Sequence, residues 1–273
     1  MALLLGLDIG TTNTKALAFS PDGRLVAQAC ARTATLHSAP GRSEYDAEQI
    51  WHGAAACLRE VASRVGAGAI LSIGVSSFGE SAVLVDRDGA ALHHAIAWFD
   101  TRAQPYADRL ATDIGVRALY DASGQFLSAK FGLPKLLFLR DALGSAFGRA
   151  RRLLSMEDYI LYKLTGRQAT DYSIAARTMC FDVRQRAWNE ALLRALDIPL
   201  SLFPEPLPGG ALVGGTLAGL DDIAGLPAGI PVCTGGHDHA CAAAASALCD
   251  RGAVLNSMGT SEVVIGVLEA PLA

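Results

Sequence analysis

Residues 7–15 read Leu7-Asp8-Ile9-Gly10-Thr11-Thr12-Asn13-Thr14-Lys15, and they decide how the rest of the chain is read. The run ahead of them, Leu3-Leu4-Leu5-Gly6-Leu7, is short and rich in large apolar side chains, as a buried strand would be. Asp8 then stands where that strand surfaces. Gly10 lets the backbone come close to a ligand. The hydroxyls and free amides of Thr11, Thr12 and Asn13 can cradle phosphate. A carboxylate beside a phosphate cradle points to a divalent cation, because the two anions repel each other.

A Rossmann turn or a P-loop opens a helix. Here Ala16-Leu17-Ala18-Phe19 continues as strand, Ser20-Pro21-Asp22-Gly23 turns, and Leu25-Val26-Ala27 is strand again. A hairpin after the glycine is the pattern of the nucleotide fold shared by actin, hexokinase and the heat-shock chaperone ATPases. Neither G-x-x-x-x-G-K-[ST] nor a G-x-G-x-x-G after a strand occurs in the chain.

The 273 residues are 51% hydrophobic and 18% charged, which suits a globular protein of one or two domains with a large core. A net charge of −4 gives no support for nucleic acid or an anionic membrane as partner. The N-terminus has no basic region before its apolar run, and no apolar run reaches the ~18 residues that span a bilayer. Six cysteines scattered through apolar sequence read as small core residues, not a disulfide framework. The expected compartment is the cytoplasm.

Ser43-Glu44-Tyr45-Asp46 supplies a helix start, and Ile50, Trp51, Ala54, Ala55 and Leu58 recur at helical spacing. Ile70–Val75 reads as a buried strand. Ala82–Val85, the turn Asp86–Gly89 and Ala95–Trp98 read as a hairpin. From about Ala107 to Leu196 the pattern is mainly helical, with Pro134 in a first turn and Gly166 closing a helix from Met156. Pro204 to Gly215 reads as a connector, Ile230–Cys233 as strand, Ala240–Leu248 as an Ala-rich helix, and Val254–Val267 as a hairpin.

Three further segments carry chemistry. In Ala97-Trp98-Phe99-Asp100-Thr101-Arg102, alternate residues share one side of an extended segment. An indole with a carboxylate and a guanidinium offers a polyol a stacking surface and a hydrogen-bond fork; the plainer reading is a packed Trp with an exposed ion pair. In Thr234-Gly235-Gly236-His237-Asp238-His239, two glycines after a strand expose an acid at a helix start, where the dipole keeps it ionised as a general base. Cys233, His237, His239 and Cys241 also give C-x₃-H-x-H-x-C, which is not a usual zinc spacing, and no zinc is expected there. Ser257-Met258-Gly259-Thr260-Ser261-Glu262 repeats the Gly-Thr logic of the first loop.

With these residues in place the chain resembles the FGGY carbohydrate kinases. The resemblance rests on Asp8-Ile9-Gly10-Thr11-Thr12, Trp98–Arg102, Pro134–Leu139, Asp158–Gly166, Thr170-Asp171-Tyr172-Ser173, Gly236–His239 and Gly259-Thr260-Ser261, which run in family order along nearly the whole chain. It implies an α/β fold of the ribonuclease H-like, actin-like ATPase (ASKHA) type, with a mixed central sheet flanked by helices. It implies an ATP-dependent kinase acting on a small sugar or polyol, with Asp238 as catalytic base. Asp8 would help hold Mg²⁺ through water. Gly10, Thr11, Thr12, Asn13 and Lys15 would form the first phosphate loop, and Gly259 and Thr260 the second. Ser77, Phe78, Gly79, Glu80, Trp98, Asp100, Arg102, Lys130, His237 and His239 would meet the substrate.

Two departures accompany the match. Ser77-Phe78-Gly79-Glu80 is neither the Met-His-Gly nor the Arg-Glu-Thr version of the substrate loop. The family also has a second actin-like domain, with a Gly-rich adenosine loop that this sequence lacks. The expected division is a sugar-binding domain over 1–250 and the first hairpin of a truncated second domain over 251–273, with this chain inactive alone. The exposed interdomain face near that hairpin would support self-association. A non-catalytic sugar-binding or regulatory module is the alternative. An assembly ATPase is a third reading, disfavoured by Trp98-x-Asp100-x-Arg102 and Asp238.

Overall fold

β1 (Leu3–Ile9), β2 (Asn13–Phe19) and β3 (Leu25–Arg32) form the antiparallel meander expected from the turn chemistry at Gly10 and Ser20–Gly23. They belong to a computed structural model that describes residues 2–246, 248, 252–258 and 262–269. β1 is not buried on both faces. Leu3, Leu5, Leu7 and Ile9 point into the core, whereas Leu4, on the other face, is 46% exposed.

α1 (Ala47–Val65) starts where Asp46 Oδ1 accepts the backbone N–H groups of Glu48 and Gln49, at 2.9 and 3.2 Å. Its apolar stripe of Ile50, Trp51, Ala54, Leu58 and Val61 is buried in one cluster with Leu5, Leu7, Ile9 and the buried side of the neighbouring strands. Burying Ile50, Leu58 and Val61 contributes roughly 1.5–3 kcal/mol each, so the contact holds α1 in place far more firmly than helix propensity does.

The chain returns through β4 (Ile70–Ser77), which lies parallel to β1. A second apolar cluster forms around α2 (Gly132–Leu143), with Leu133, Leu136 and Leu137 packed among Phe131, Leu153 and Leu193. α3 (Met156–Thr165) opens with a reciprocal cap between Ser155 and Asp158 and closes at left-handed Gly166. α4 (Tyr172–Ala176) is a single turn capped by Asp171. β5 (Leu212–Gly215) and β6 (Pro231–His237) complete a six-stranded mixed sheet in the order β5-β6-β4-β1-β2-β3, and α5 (Asp238–Ala245) leaves the end of β6. β7 (Val254–Met258) and β8 (Glu262–Gly266) form a separate hairpin on which Val254, Met258 and Val264 are 61%, 78% and 67% exposed.

Three expectations need correction. Ala82–Val85 does turn at Asp86–Gly89, but it pairs with Arg152–Ser155, and Ala95–Ile96 pairs with Arg42–Tyr45. These pairings bury Val83, Val85 and Leu154 in the first cluster and Leu84, Ile96 and Leu153 in the second. The stretch 204–215 is more than a connector: Glu205–Leu207 runs parallel to Ala169–Asp171, and β5 is an edge strand of the main sheet. Its prolines and glycines hid this, since both are tolerated at sheet edges. Trp98–Arg102 is not extended; Asp100 N donates to Ala97 O at 3.1 Å and closes a turn.

Candidate active site

The C-terminal ends of the parallel strands β1, β4 and β6 meet at one edge of the sheet, with Asp8 opposite Ser76 and Ser76 opposite Gly236. The carboxyl ends of such strands are where open α/β sheets bind ligands. Ser76 Oγ donates to Asp8 Oδ1 at 3.0 Å. The β1–β2 turn beside it is tight, with Gly10 N donating to Asn13 O at 3.0 Å. Thr11 reaches the cleft above the strand ends, while Thr12 and Lys15 are exposed and Lys15 stands across the ladder from Asp8. Gly259 and Thr260 lie outside the described residues.

Asp238 is the first residue of α5, half-exposed at the mouth of the same cleft. Its Oδ1 accepts His239 N at 2.7 Å and lies 3.2 Å from His237 Nδ1. Burial, with the positive charge of Arg177 next, pushes the His237 imidazole down to about 4, so it is neutral near pH 7 and can donate one hydrogen bond to the acid. Gly79 makes room for that ring: a Cβ there would stand 2.6 Å from His237 Cδ2. The acid sits at a helix N-terminus.

The cleft encloses ≈ 620 Å³. Besides Thr11 and the His237–His239 segment, its walls are Phe78, Gly79, Glu80, Trp98, Lys130 and Arg177, with Ser257 and Glu262 of the hairpin closing one side. Arg177 did not figure among the residues singled out in the sequence. Its guanidinium pairs with the Glu80 carboxylate, donates to Gln125 Oε1 at 3.1 Å, and lies over the Phe131 ring at 5.0 Å. The only sequence hint was its place one turn beyond Thr170-Asp171-Tyr172-Ser173.

Glu80 adopts φ 63°, uncommon for a residue with a side chain. Lys135 holds it there. The buried ammonium donates to Glu80 O and Ala97 O, both at 2.9 Å, and to Ile96 O at 3.4 Å. Burial pushes the Lys135 amine down to about 7. A strained backbone persists only where its surroundings over-determine it.

Three candidate substrate residues stand apart from the cleft. Ser77 is fully buried, donating to Phe78 O at 2.8 Å and receiving Glu157 N at 3.1 Å. Asp100 is 3% exposed and accepts Ser43 N, Arg102 N, Arg102 Nε and Arg102 Nη2 at 2.7–3.0 Å. Arg102 also donates to Glu44 at 2.6 Å. The turn at Asp100 leaves this pair buried and off the cleft that Trp98 lines, so Trp98 and the fork do not share one face of the segment. Trp98 lines the cleft, and the carboxylate–guanidinium pair on its wall is Glu80–Arg177. Among the described residues no group of three or more His, Cys, Asp and Glu side chains is placed to hold a metal, the Cys233–Cys241 set included. Among them, too, no helix is long and apolar enough to cross a membrane.

The order of strands, the acid at the head of α5 and the threonine loop define an actin-like ATPase fold with a cleft at its strand ends. The chain belongs to the FGGY family of carbohydrate kinases: residues 3–245 match that family's N-terminal domain. It is 34% identical over 227 residues to a glycerol kinase of Delftia acidovorans, covering 80% of this chain and 46% of the relative. It is 31% identical over 268 residues to a xylulose kinase of Staphylococcus xylosus, covering 98% of this chain and 55% of that protein. The crystal structure of xylulose kinase from Rhodospirillum rubrum superposes with a TM-score of 0.92 at 28% identity, over 97% of this chain and 55% of that one. The chain thus spans about half the length of these relatives.

Proposed function

We propose that this chain forms the sugar-binding half of a kinase that moves the γ-phosphoryl group of ATP to a hydroxyl of a small sugar or polyol, with Asp238 as general base. The observation that carries the reading is the convergence of Asp238, Trp98 and the Glu80–Arg177 pair on one cleft whose rim is Thr11. Trp98 offers an apolar face to the carbon skeleton, and Glu80, Arg177 and Lys130 offer acceptors and donors to its hydroxyls. Asp238 takes the proton of the attacking hydroxyl as its oxygen bonds to the γ-phosphorus and the bond to the leaving ADP oxygen breaks. The first threonine loop, and Gly259 with Thr260, would hold the phosphates. Asp8 suits Mg²⁺: it has a hydroxyl neighbour in Ser76, no cluster of three or more ligating side chains is found among the described residues, and Mg²⁺ keeps waters and takes phosphate oxygens rather than an all-protein cage. Bound there, the ion would neutralise phosphate charge.

Residues 1–250 would be the sugar-binding domain, and the separate β7–β8 sheet supports placing the start of a second domain at 251–273. ATP and sugar as substrates fit the cytoplasm. The test is phosphorylation by the protein at its natural length across ketoses, aldoses and polyols, with wild type and Asp238→Asn side by side. Asp238→Asn lowers kcat by ~10²–10⁴ and leaves KM nearly unchanged, since the amide keeps reach but cannot take the proton. Near-normal kcat in the variant removes Asp238 from the base role. Residues 1–273 alone should bind the sugar in calorimetry with negligible turnover; robust turnover by them would overturn that division of labour.

A further inference from the structure

The end of β6 is held in an unusual way. Its ladder to β4 slips between Thr234 and Gly236, so Gly235 is an extra residue, and Gly236 has φ 128°. The amides on either side of Gly236 are taken by side chains. Gly235 N donates to Glu157 Oε1 at 3.0 Å, and His237 N donates to Ser173 Oγ at 2.9 Å. Ser173 Oγ in turn donates to Asp171 Oδ1, which also accepts Ser173 N at 2.7 Å and Ile174 N at 3.1 Å. The clamp explains the glycine: a Cβ on Gly236 would lie 2.6 Å from Asp171 Oδ1 and 2.7 Å from Ser173 Oγ.

Asp171 would cap α4 without this serine hydroxyl, because two backbone N–H groups already satisfy a helix start. The hydroxyl adds a link out of the helix, to the residue before Asp238. The other end of α4 is Arg177, paired with Glu80 across the cleft. One helical turn therefore joins the two sides of the site, and Glu157, fully buried, secures the neighbouring amide.

We propose that Ser173 is a positioning residue for Asp238: its hydroxyl, oriented by Asp171, holds the His237 amide and so fixes where the first turn of α5 presents the acid. This rests on the kinase reading above. Small displacements of a reacting group cost about 10²-fold when geometry is the source of rate.

The experiment compares wild type, Ser173→Ala and Ser173→Thr in the protein at its natural length. Sugar kinetics are measured together with hydrogen exchange of the His237 amide. Ser173→Ala keeps both backbone caps of α4. It is expected to lower kcat about ten- to hundred-fold with KM little changed, and to strip the His237 amide of protection. Ser173→Thr retains the hydroxyl and most of kcat. Wild-type kcat in Ser173→Ala, a rise in KM alone, or no difference between the Ala and Thr variants overturns the proposal. If wild type phosphorylates no sugar, the kinase reading fails and exchange decides the clamp. Loss of protection in Ser173→Ala upholds it, and unchanged protection defeats it.

Discussion

Two carboxylate–guanidinium pairs, Asp100–Arg102 apart from the cleft and Glu80–Arg177 on its wall, differ in span and in what surrounds them. The first joins residues two apart in one turn, and its side chains are 0% and 10% exposed. Burial alone would raise the Asp100 carboxyl, but hydrogen bonds from Arg102 and Ser43 outweigh it and hold the group below the usual carboxylate range. The second joins residues 97 apart, from the β4 loop to the end of α4, and lines the cleft. The same chemistry is thus enclosed in one place and lines a cleft in the other. The pair that lies close together in the sequence is the enclosed one.

Neutralising Asp100 tests that contrast most severely. Asp100→Asn leaves Arg102 buried with only Glu44 to balance it and should cost roughly 3–5 kcal/mol in urea unfolding, while the folded fraction binds sugar as before. Sugar binding lost at unchanged stability would return Asp100 to the substrate site.

The buried acid Asp158 behaves in the opposite sense. Burial pushes the Asp158 carboxyl up to about 7, against an ordinary value of 3.8 when unfolded. Between those values the folded chain holds a proton that the unfolded chain has released, so stability falls as pH rises from about 4 to 7. Urea titrations at steps across that window should show a loss on the order of a few kcal/mol, partly flattened by Asp158→Asn. Asp100, held low, contributes in a separate window: its share is lost only as pH falls below the ordinary carboxylate range. A stability profile that rises with pH between 5 and 7 would contradict the Asp158 assignment.

Glu80→Gln, matched to the Asp100 change, should raise the sugar Kd about ten- to hundred-fold, the effect of one charged hydrogen bond of ~1.5–3 kcal/mol, with a smaller stability loss than Asp100→Asn. The reverse ranking would erase the distinction between the pairs. Trp98→Ala should be the mildest, raising KM several-fold with kcat unchanged, because a stacking surface binds ground and transition states alike. A fall in kcat without a change in KM would place Trp98 in the reacting geometry.

What was legible in the sequence was local. The β1–β3 meander, the Asp46 cap, the Gly166 stop and the acid at the head of α5 all depend on residues within a turn of each other, and the structure has each of them. Trp98 and Glu80 could be named, but not their orientation. Arg177 was not singled out, and Lys135 appeared only within Pro134–Leu139 without a role, because their partners are distant in the chain: Lys135 reads as an ordinary helix lysine until the carbonyls of Glu80 and Ala97 are brought to it. The edge strand β5 was masked by glycines whose partner, β6, lies beyond residue 230.

The ammonium of Lys135 ties together the two loops that bear Glu80 and Trp98, and so makes one jaw of the site a single rigid casting. Side chains mounted on that jaw can be exchanged without moving the frame that carries them. Under the proposed kinase function, sugar preference should therefore be retunable by substitutions at 80 and 98 alone, as fittings in a fixed socket. The same substitutions made in a Lys135→Met background should give blurred preferences, because the socket itself would shift.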